Sequence, residues 1–82
     1  ALTEDRRKDI VKNLKKVAED AKISLRQLRK DANDNVKAQQ KNKVLTEDDV
    51  KRVEKDVQKL TDDYIAKIDE RFSKKEKEIM EV

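Results

Sequence analysis

The sequence predicts an all-α fold, a long antiparallel helical hairpin, and three observations predict it. The 82 residues include no Gly or Pro, so tight hairpin turns and flexible linkers lack their usual residues. Apolar residues recur at helical spacing in both halves of the chain. The same helix-start tetrapeptide, Leu-Thr-Glu-Asp, occurs at residues 2–5 and again at residues 45–48.

The first predicted helix covers about residues 4–41. Thr3 can cap the free amides at its start, and the acidic Glu4 and Asp5 complement the positive end of the helix dipole. Apolar side chains then recur in steps of three and four, at Ile10, Leu14, Val17, Ala21, Leu25, Leu28, Ala32 and Val36. The pattern repeats every 11 residues, about 3.67 per turn, which predicts a nearly straight helix with little supercoil.

A turn is predicted at about residues 42–46, followed by a second helix over about residues 47–80. We expect Asn42 to take the left-handed conformation that ends the first helix. Thr46 is the predicted N-cap of the second helix with Asp49 at its third position, and Leu45 and Val50 have the spacing of a hydrophobic staple. The apolar row of this helix consists of Val50, Val53, Val57, Leu60, Tyr64, Ile65, Ile68, Phe72 and Ile79.

The composition excludes several classes of function. Half of the residues are charged, which is typical of disorder, but the regular helical pattern argues for folded structure. The chain has no Cys or His, so we expect no zinc site, no disulfide and no catalytic triad, and we predict a protein that is not an enzyme and carries no cofactor or metal. The longest apolar run is three residues, so we expect no membrane partner and predict a cytoplasmic location.

The charges divide between the two helices. Residues 1–43 hold 13 Lys and Arg against 7 Asp and Glu, a net of +6, whereas residues 44–82 hold 9 against 12, a net of −3. At 100° per residue, most of the basic side chains of the first helix fall on one flank of its apolar stripe. We call this flank the basic face, and its members include Lys15, Lys22, Arg26, Arg29, Lys30 and Lys37. A basic stripe is usually a solvated surface, but it also suits a polyanion.

The apolar stripe of the first helix is wider than one neighbouring helix can cover, because Val11 and Ala18 extend it on one side. Two helices bury only a single line of contact. We therefore predict a further partner on this stripe: a third helix of the same protein, another copy of the hairpin, or a larger assembly.

Four segments resemble the bacterial ribosome recycling factor family. They are the opening Leu-Thr-Glu-Asp-Arg-Arg-Lys at residues 2–8, Leu-Arg-Gln-Leu-Arg-Lys-Asp-Ala-Asn-Asp at 25–34, Asp-Val-Gln-Lys-Leu-Thr-Asp at 56–62, and Lys-Glu-Lys-Glu-Ile-Met at 75–80. The resemblance follows the order of the family over the whole chain. It implies that residues 1–82 are the last two helices of a three-helix bundle, without its first helix and without the small β domain inserted after that helix.

The resemblance also implies a function and a site. Members of the family act with elongation factor G to split the ribosome after termination, and their bundle contacts RNA of the large subunit. Arg26 and Arg29 match family positions prominent in that contact, and Lys30 lies where the family often has Arg. We expect these three residues to bind ribosomal RNA together with Lys22, Lys15 and Lys37. A Lys in place of Arg keeps the charge but loses the bidentate phosphate geometry.

Two other classes of function stay open at the level of sequence. The first is a structural or interaction hairpin that associates with itself into a helical bundle. The second is an amphipathic helix lying on a membrane surface. It is disfavoured because the polar faces carry both signs of charge and the apolar side is rich in Ala and Val.

Overall fold

The computed structural model describes residues 3–81, which form two helices. Helix α1 spans Glu4–Lys41 and helix α2 spans Glu47–Met80, with 38 and 34 residues. They pack side by side in an antiparallel hairpin, and no strand occurs in the described part of the chain. The predicted all-α helical hairpin is confirmed. Leu2, part of the first helix-start motif, lies outside the described residues.

Both helices begin with a threonine cap. The side chain of Thr3 accepts a hydrogen bond from the backbone N–H of Arg6 at 3.2 Å. At the start of α2 the cap is reciprocal: the Asp49 N–H donates to Thr46 Oγ1, and the Thr46 N–H donates to Asp49 Oδ2, each at 3.1 Å. This capping box was predicted from sequence. Hydrogen bonds from the Thr46 backbone and side chain lower the pKa of Asp49, since both favour its charged form.

Helix α1 ends in a Schellman motif built around a lysine. The N–H groups of Lys43 and Val44 donate to the carbonyls of Gln40 and Gln39 at 2.9 and 2.8 Å. Lys43 has φ 62°, whereas Asn42 has φ −84°. The prediction that Asn42 is the left-handed residue is therefore wrong by one position. Asn42 is the cap itself, and the next residue must reverse the chain, although Lys lacks the freedom of Gly there.

The seam between the helices is a single row of contacts. Val50 and Thr61 are the only buried side chains among the described residues, at 6% and 7% exposure. Thr61 satisfies its hydroxyl by donating to the carbonyl of Val57 at 2.7 Å, so a polar side chain is accommodated in the seam. The rest of the seam consists of half-buried positions, including Leu25 on α1 and Ile65 on α2.

One broad side of the hairpin is apolar and uncovered. Val17 and Leu28 of α1 and Leu60 and Tyr64 of α2 are more than half exposed on it, and we call it the apolar side. Two open grooves run along this side. One is lined mainly by Leu25, Leu28, Val57, Leu60 and Tyr64, and the other mainly by Leu14, Val17, Ile68 and Phe72. The hairpin measures 61 × 15 × 10 Å, so this apolar side extends along a rod.

Neither described helix has a stretch apolar enough to cross a membrane.

Candidate nucleic-acid interface

The basic face of α1 lies on the opposite side of the seam from the apolar side. Helical geometry at 100° per residue places Lys15, Arg26 and Lys37 there in one row, and all three are exposed. Lys30 is also exposed but points further outward, about 40° beyond Arg26 around the helix. We call this side of the hairpin the polar side. Its α2 edge is formed by Gln58, Asp62 and Asp69.

Lys22 is turned into the edge of the seam. Its side chain is 13% exposed, and its Nζ lies 2.8 Å from Oδ1 of Asp69 on α2 and 2.9 Å from Oε1 of Glu19. The hydrogen bonds to Asp69 and then to Glu19 raise the pKa of Lys22 above its ordinary value. Two carboxylates therefore compete with any phosphate for this ammonium group. Within the predicted set, Lys22 is placed to join the helices.

Arg29 is also directed across the seam, but its partner is neutral. The residue is half-buried, and its Nη1 donates to Oε1 of Gln58 on α2 at 2.8 Å. Gln58 in turn donates from Nε2 to Oδ1 of Asp62, four residues on, at 2.9 Å. The Nε of Arg29 is buried and donates to none of the described residues. One N–H group of the guanidinium is thus hydrogen-bonded to Gln58, while most of its other donors make no hydrogen bond to the described residues.

The six predicted residues therefore fall into two groups. Lys15, Arg26, Lys30 and Lys37 are exposed cations, whereas Lys22 and Arg29 each make a hydrogen bond to α2. The partners on α2 were not identified from the sequence, since they lie 29 and 47 positions away and are matched only by the register of the hairpin. The one local signal was the four-residue spacing of Gln58 and Asp62, which permits a hydrogen bond on a helix.

The polar side presents exposed cations that could contact phosphates. Tyr64 and Phe72 line grooves on the apolar side, so no aromatic ring of the described residues stands on the polar side to stack against bases. Within residues 3–81 no cluster of three or more acidic side chains is arranged to hold a metal ion. Exposed Lys and Arg in a row would contact a nucleic-acid backbone without reading its bases.

Known proteins match the chain over nearly its full length. The family model described as ribosome recycling factor matches residues 1–80. This chain belongs to the ribosome recycling factor family. It is 59% identical over 81 residues to the ribosome-recycling factor of Halalkalibacterium halodurans and 58% identical over 81 residues to that of Solidesulfovibrio magneticus. It is 56% identical over 82 residues to that of Bacillus subtilis.

These matches include 99–100% of this chain but 44% of each relative. The chain thus spans less than half the length of the ribosome recycling factors that it matches. The resemblance to the family drawn from the four sequence segments is confirmed. The helical hairpin formed by this chain fits a fragment of the helical domain of a ribosome recycling factor.

Proposed function

We propose that this chain is the two-helix part of a ribosome recycling factor and docks its polar side on RNA of the large ribosomal subunit. The observation that carries the proposal is the row of exposed cations, Lys15, Arg26 and Lys37, on one side of a helix in a chain of this family. The row lies in residues 1–43, which have a net charge of +6, whereas residues 44–82 are net negative. A polyanion would therefore favour α1.

The binding would be electrostatic and independent of base sequence. Lys and Arg contacts to phosphates supply affinity and set the register of the protein on the RNA. The proposed action is binding and not catalysis, in the cytoplasm, with elongation factor G as the partner in splitting the ribosome. Those activities belong to the longer factor, of which this chain would be the RNA-docking part.

The apolar side supports a second component of the proposal, the first helix of a three-helix bundle. A helix laid along the two grooves would cover Val17 and Leu28 on one wall and Leu60 and Tyr64 on the other. It would leave the polar side open, because the two sides face in opposite directions from the seam. RNA docking and bundle formation would then use separate surfaces of the same hairpin.

The docking proposal is tested with the double substitution Arg26→Ala and Arg29→Ala in the full-length factor. Binding to isolated large ribosomal subunits is measured over a range of salt concentrations. Loss of two phosphate contacts should weaken binding and reduce the slope of log affinity against log salt by about two. The matched control removes Lys16 and Lys59, two exposed lysines on the outer faces of α1 and α2.

The control variant removes the same charge from the molecule as the test variant. It should leave affinity and salt slope close to those of the unmodified factor. Equal losses in the two variants would mean that net charge, and not the polar side, governs binding. An unchanged slope in the arginine variant would refute the site.

A second candidate function is a hairpin that associates with itself, and the exposed Leu28 and Tyr64 favour it. Two copies meeting through their apolar sides would cover each other's grooves. Helix content measured against concentration separates this candidate from RNA docking. Helicity that rises with concentration, with no affinity for large subunits, selects self-association, whereas a fully helical monomer at all concentrations excludes it.

A further inference from the structure

We propose that Gln58 is a positioning residue that holds the guanidinium of Arg29 ready for a phosphate. This inference rests on the proposed docking of the polar side on RNA. It assigns a role to Gln58, a neutral residue of the net-negative helix α2 that has no charge with which to bind RNA directly. Gln58 does so by joining Arg29 of α1 to Asp62 of α2 through two hydrogen bonds, of 2.8 and 2.9 Å.

The chemistry of the three groups fixes the orientation of the Gln58 amide. A guanidinium only donates hydrogen bonds, so the amide must present its oxygen to Arg29. An ionised carboxylate only accepts, so the amide must present its nitrogen to Asp62. Both requirements are met by one orientation and neither by the reverse. Asp62 therefore holds the amide, and the amide holds one corner of the guanidinium.

The neutral partner preserves the charge of Arg29. Gln58 takes one of the five guanidinium N–H donors and leaves the positive charge unpaired. Lys22 provides the contrast on the same side of the seam, since Asp69 and Glu19 both hold its ammonium group. A carboxylate at position 58 would compete with phosphate for Arg29, whereas an amide orients the side chain without that competition.

Orientation matters because arginine has a long side chain with many rotamers. An arginine that is free in solution must be ordered when it binds, and this ordering lowers the affinity. Arg29 is already half-buried with its Nη1 held, so less freedom remains to be lost on docking. Arg26 lies on the exposed row with Lys15 and Lys37, and it makes no side-chain hydrogen bond to the described residues of α2.

A double-mutant cycle tests the proposal in the full-length factor, with isolated large ribosomal subunits as the probe. The variants are Gln58→Ala, Arg29→Ala and the two combined. Gln58→Ala should weaken binding by about fivefold, the order expected when one long side chain must be ordered on binding. The same substitution in the Arg29→Ala background should have no further effect, because its target is gone.

Gln27→Ala is the matched control. Gln27 makes the same kind of bond to a carboxylate four residues on, Asp31 at 2.9 Å, but on the face of α1 away from the seam. Its removal should leave subunit binding unchanged. A purely structural role of Gln58 would weaken binding equally with and without Arg29. It would also lower the unfolding temperature of the Gln58→Ala variant, so thermal unfolding of each variant is measured alongside binding.

A second variant, Gln58→Glu, tests the importance of a neutral partner. It keeps an oxygen for Arg29 but adds a charge, and we expect it to bind large subunits no better than Gln58→Ala. Binding equal to that of the unmodified factor would refute the role of neutrality.

The outcomes separate this proposal from the one on which it rests. If Arg29→Ala weakens binding and Gln58→Ala does not, the docking site stands and the positioning role is refuted. If Gln58→Ala weakens binding equally in both backgrounds, the positioning role is again refuted. If Arg29→Ala leaves binding unchanged, the docking proposal fails at this residue and the positioning role fails with it.

Discussion

The two broad sides of the hairpin differ in how their side chains are satisfied. On the polar side, Lys22 and Arg29 reach partners on the opposite helix, and the exposed cations beside them are solvated. On the apolar side, Leu28 and Tyr64 are 63% and 51% exposed, with open grooves between the helices. The polar side can face solvent as it stands, whereas the apolar side requires an additional surface to bury it.

This difference separates two possible roles of the residues in α1, contact with an external polyanion and contact with a covering surface. Under the proposed function, residues of α1 that point away from the apolar side would contact a polyanion without affecting assembly. Residues that point toward it determine which surface covers the hairpin. We therefore expect substitutions on the two sides to affect different measurements, and the predictions below test that separation.

The largest effect is expected from removing apolar contacts on the apolar side. Leu28→Ser combined with Leu60→Ser should lower the free energy of unfolding of the full-length factor by roughly 3–6 kcal/mol, if a bundle helix buries both leucines. Ile23→Ser is the control, because Ile23 is similarly exposed but lies on the outer face of α1. It should change stability by less than about 0.5 kcal/mol. Equal effects at Ile23 and at the leucines, measured by denaturant unfolding, would contradict the separation.

A smaller effect is expected at the cap of α2, which belongs to neither side. Thr46→Ala removes the hydroxyl that accepts the Asp49 N–H and should lower the free energy of unfolding by about 1 kcal/mol. The salt slope of subunit binding should not change, since no phosphate contact is lost. A changed slope would show that the turn and the polar side are coupled.

A gain in stability is expected at Lys43. Lys43→Gly relieves a side chain held at positive φ in the Schellman motif, which should raise the free energy of unfolding by about 0.5–1 kcal/mol. Asn42→Gly is the control, since Asn42 has an ordinary negative φ, and it should be neutral or destabilising. Thermal unfolding of the two variants decides between the positions, and greater stabilisation by the Asn42 variant would contradict the assignment.

The smallest effect is expected from titrating the ion pair of the polar side. The pKa of Lys22 is raised above 10.5 by Asp69 and Glu19, so its contribution to stability is complete below that pH. The contribution is lost as pH rises through the raised pKa. Unfolding measured across this range should show a decline that is reduced in a Lys22→Met variant. An identical pH dependence in the variant would mean that Lys22 does not contribute.

Much of the fold could be predicted from local signals. The threonine caps, the acidic first turns and the spacing of apolar residues act within a few positions of one helix, so single stretches of sequence contain them. The left-handed residue was misplaced because Asn42 is the better intrinsic candidate, whereas the helix end is decided by which carbonyl each amide reaches. Here the bonds from Lys43 and Val44 decide it.

The candidate site could be predicted only in part. Helical spacing is enough to place Lys15, Arg26 and Lys37 on one face, because that placement depends on α1 alone. The inward roles of Lys22 and Arg29 depend on the side chains of α2 that the hairpin register brings opposite them. The pattern of one helix does not show which residues of the other helix lie opposite it. Gln58 and Asp69 could therefore not be identified as partners from the pattern of α1.

The length of the rod determines how its charges act. At physiological salt an electrostatic interaction fades over about 8 Å, so a molecule 61 Å long spans nearly eight screening lengths. Lys15 and Lys37 are about 33 Å apart along α1, so the charge of one has almost no effect on the electrostatic potential at the other. A polyanion laid along α1 would therefore meet local groups of cations that act separately at the two ends of the row, and the net charge of +3 describes the whole molecule but no single point along it.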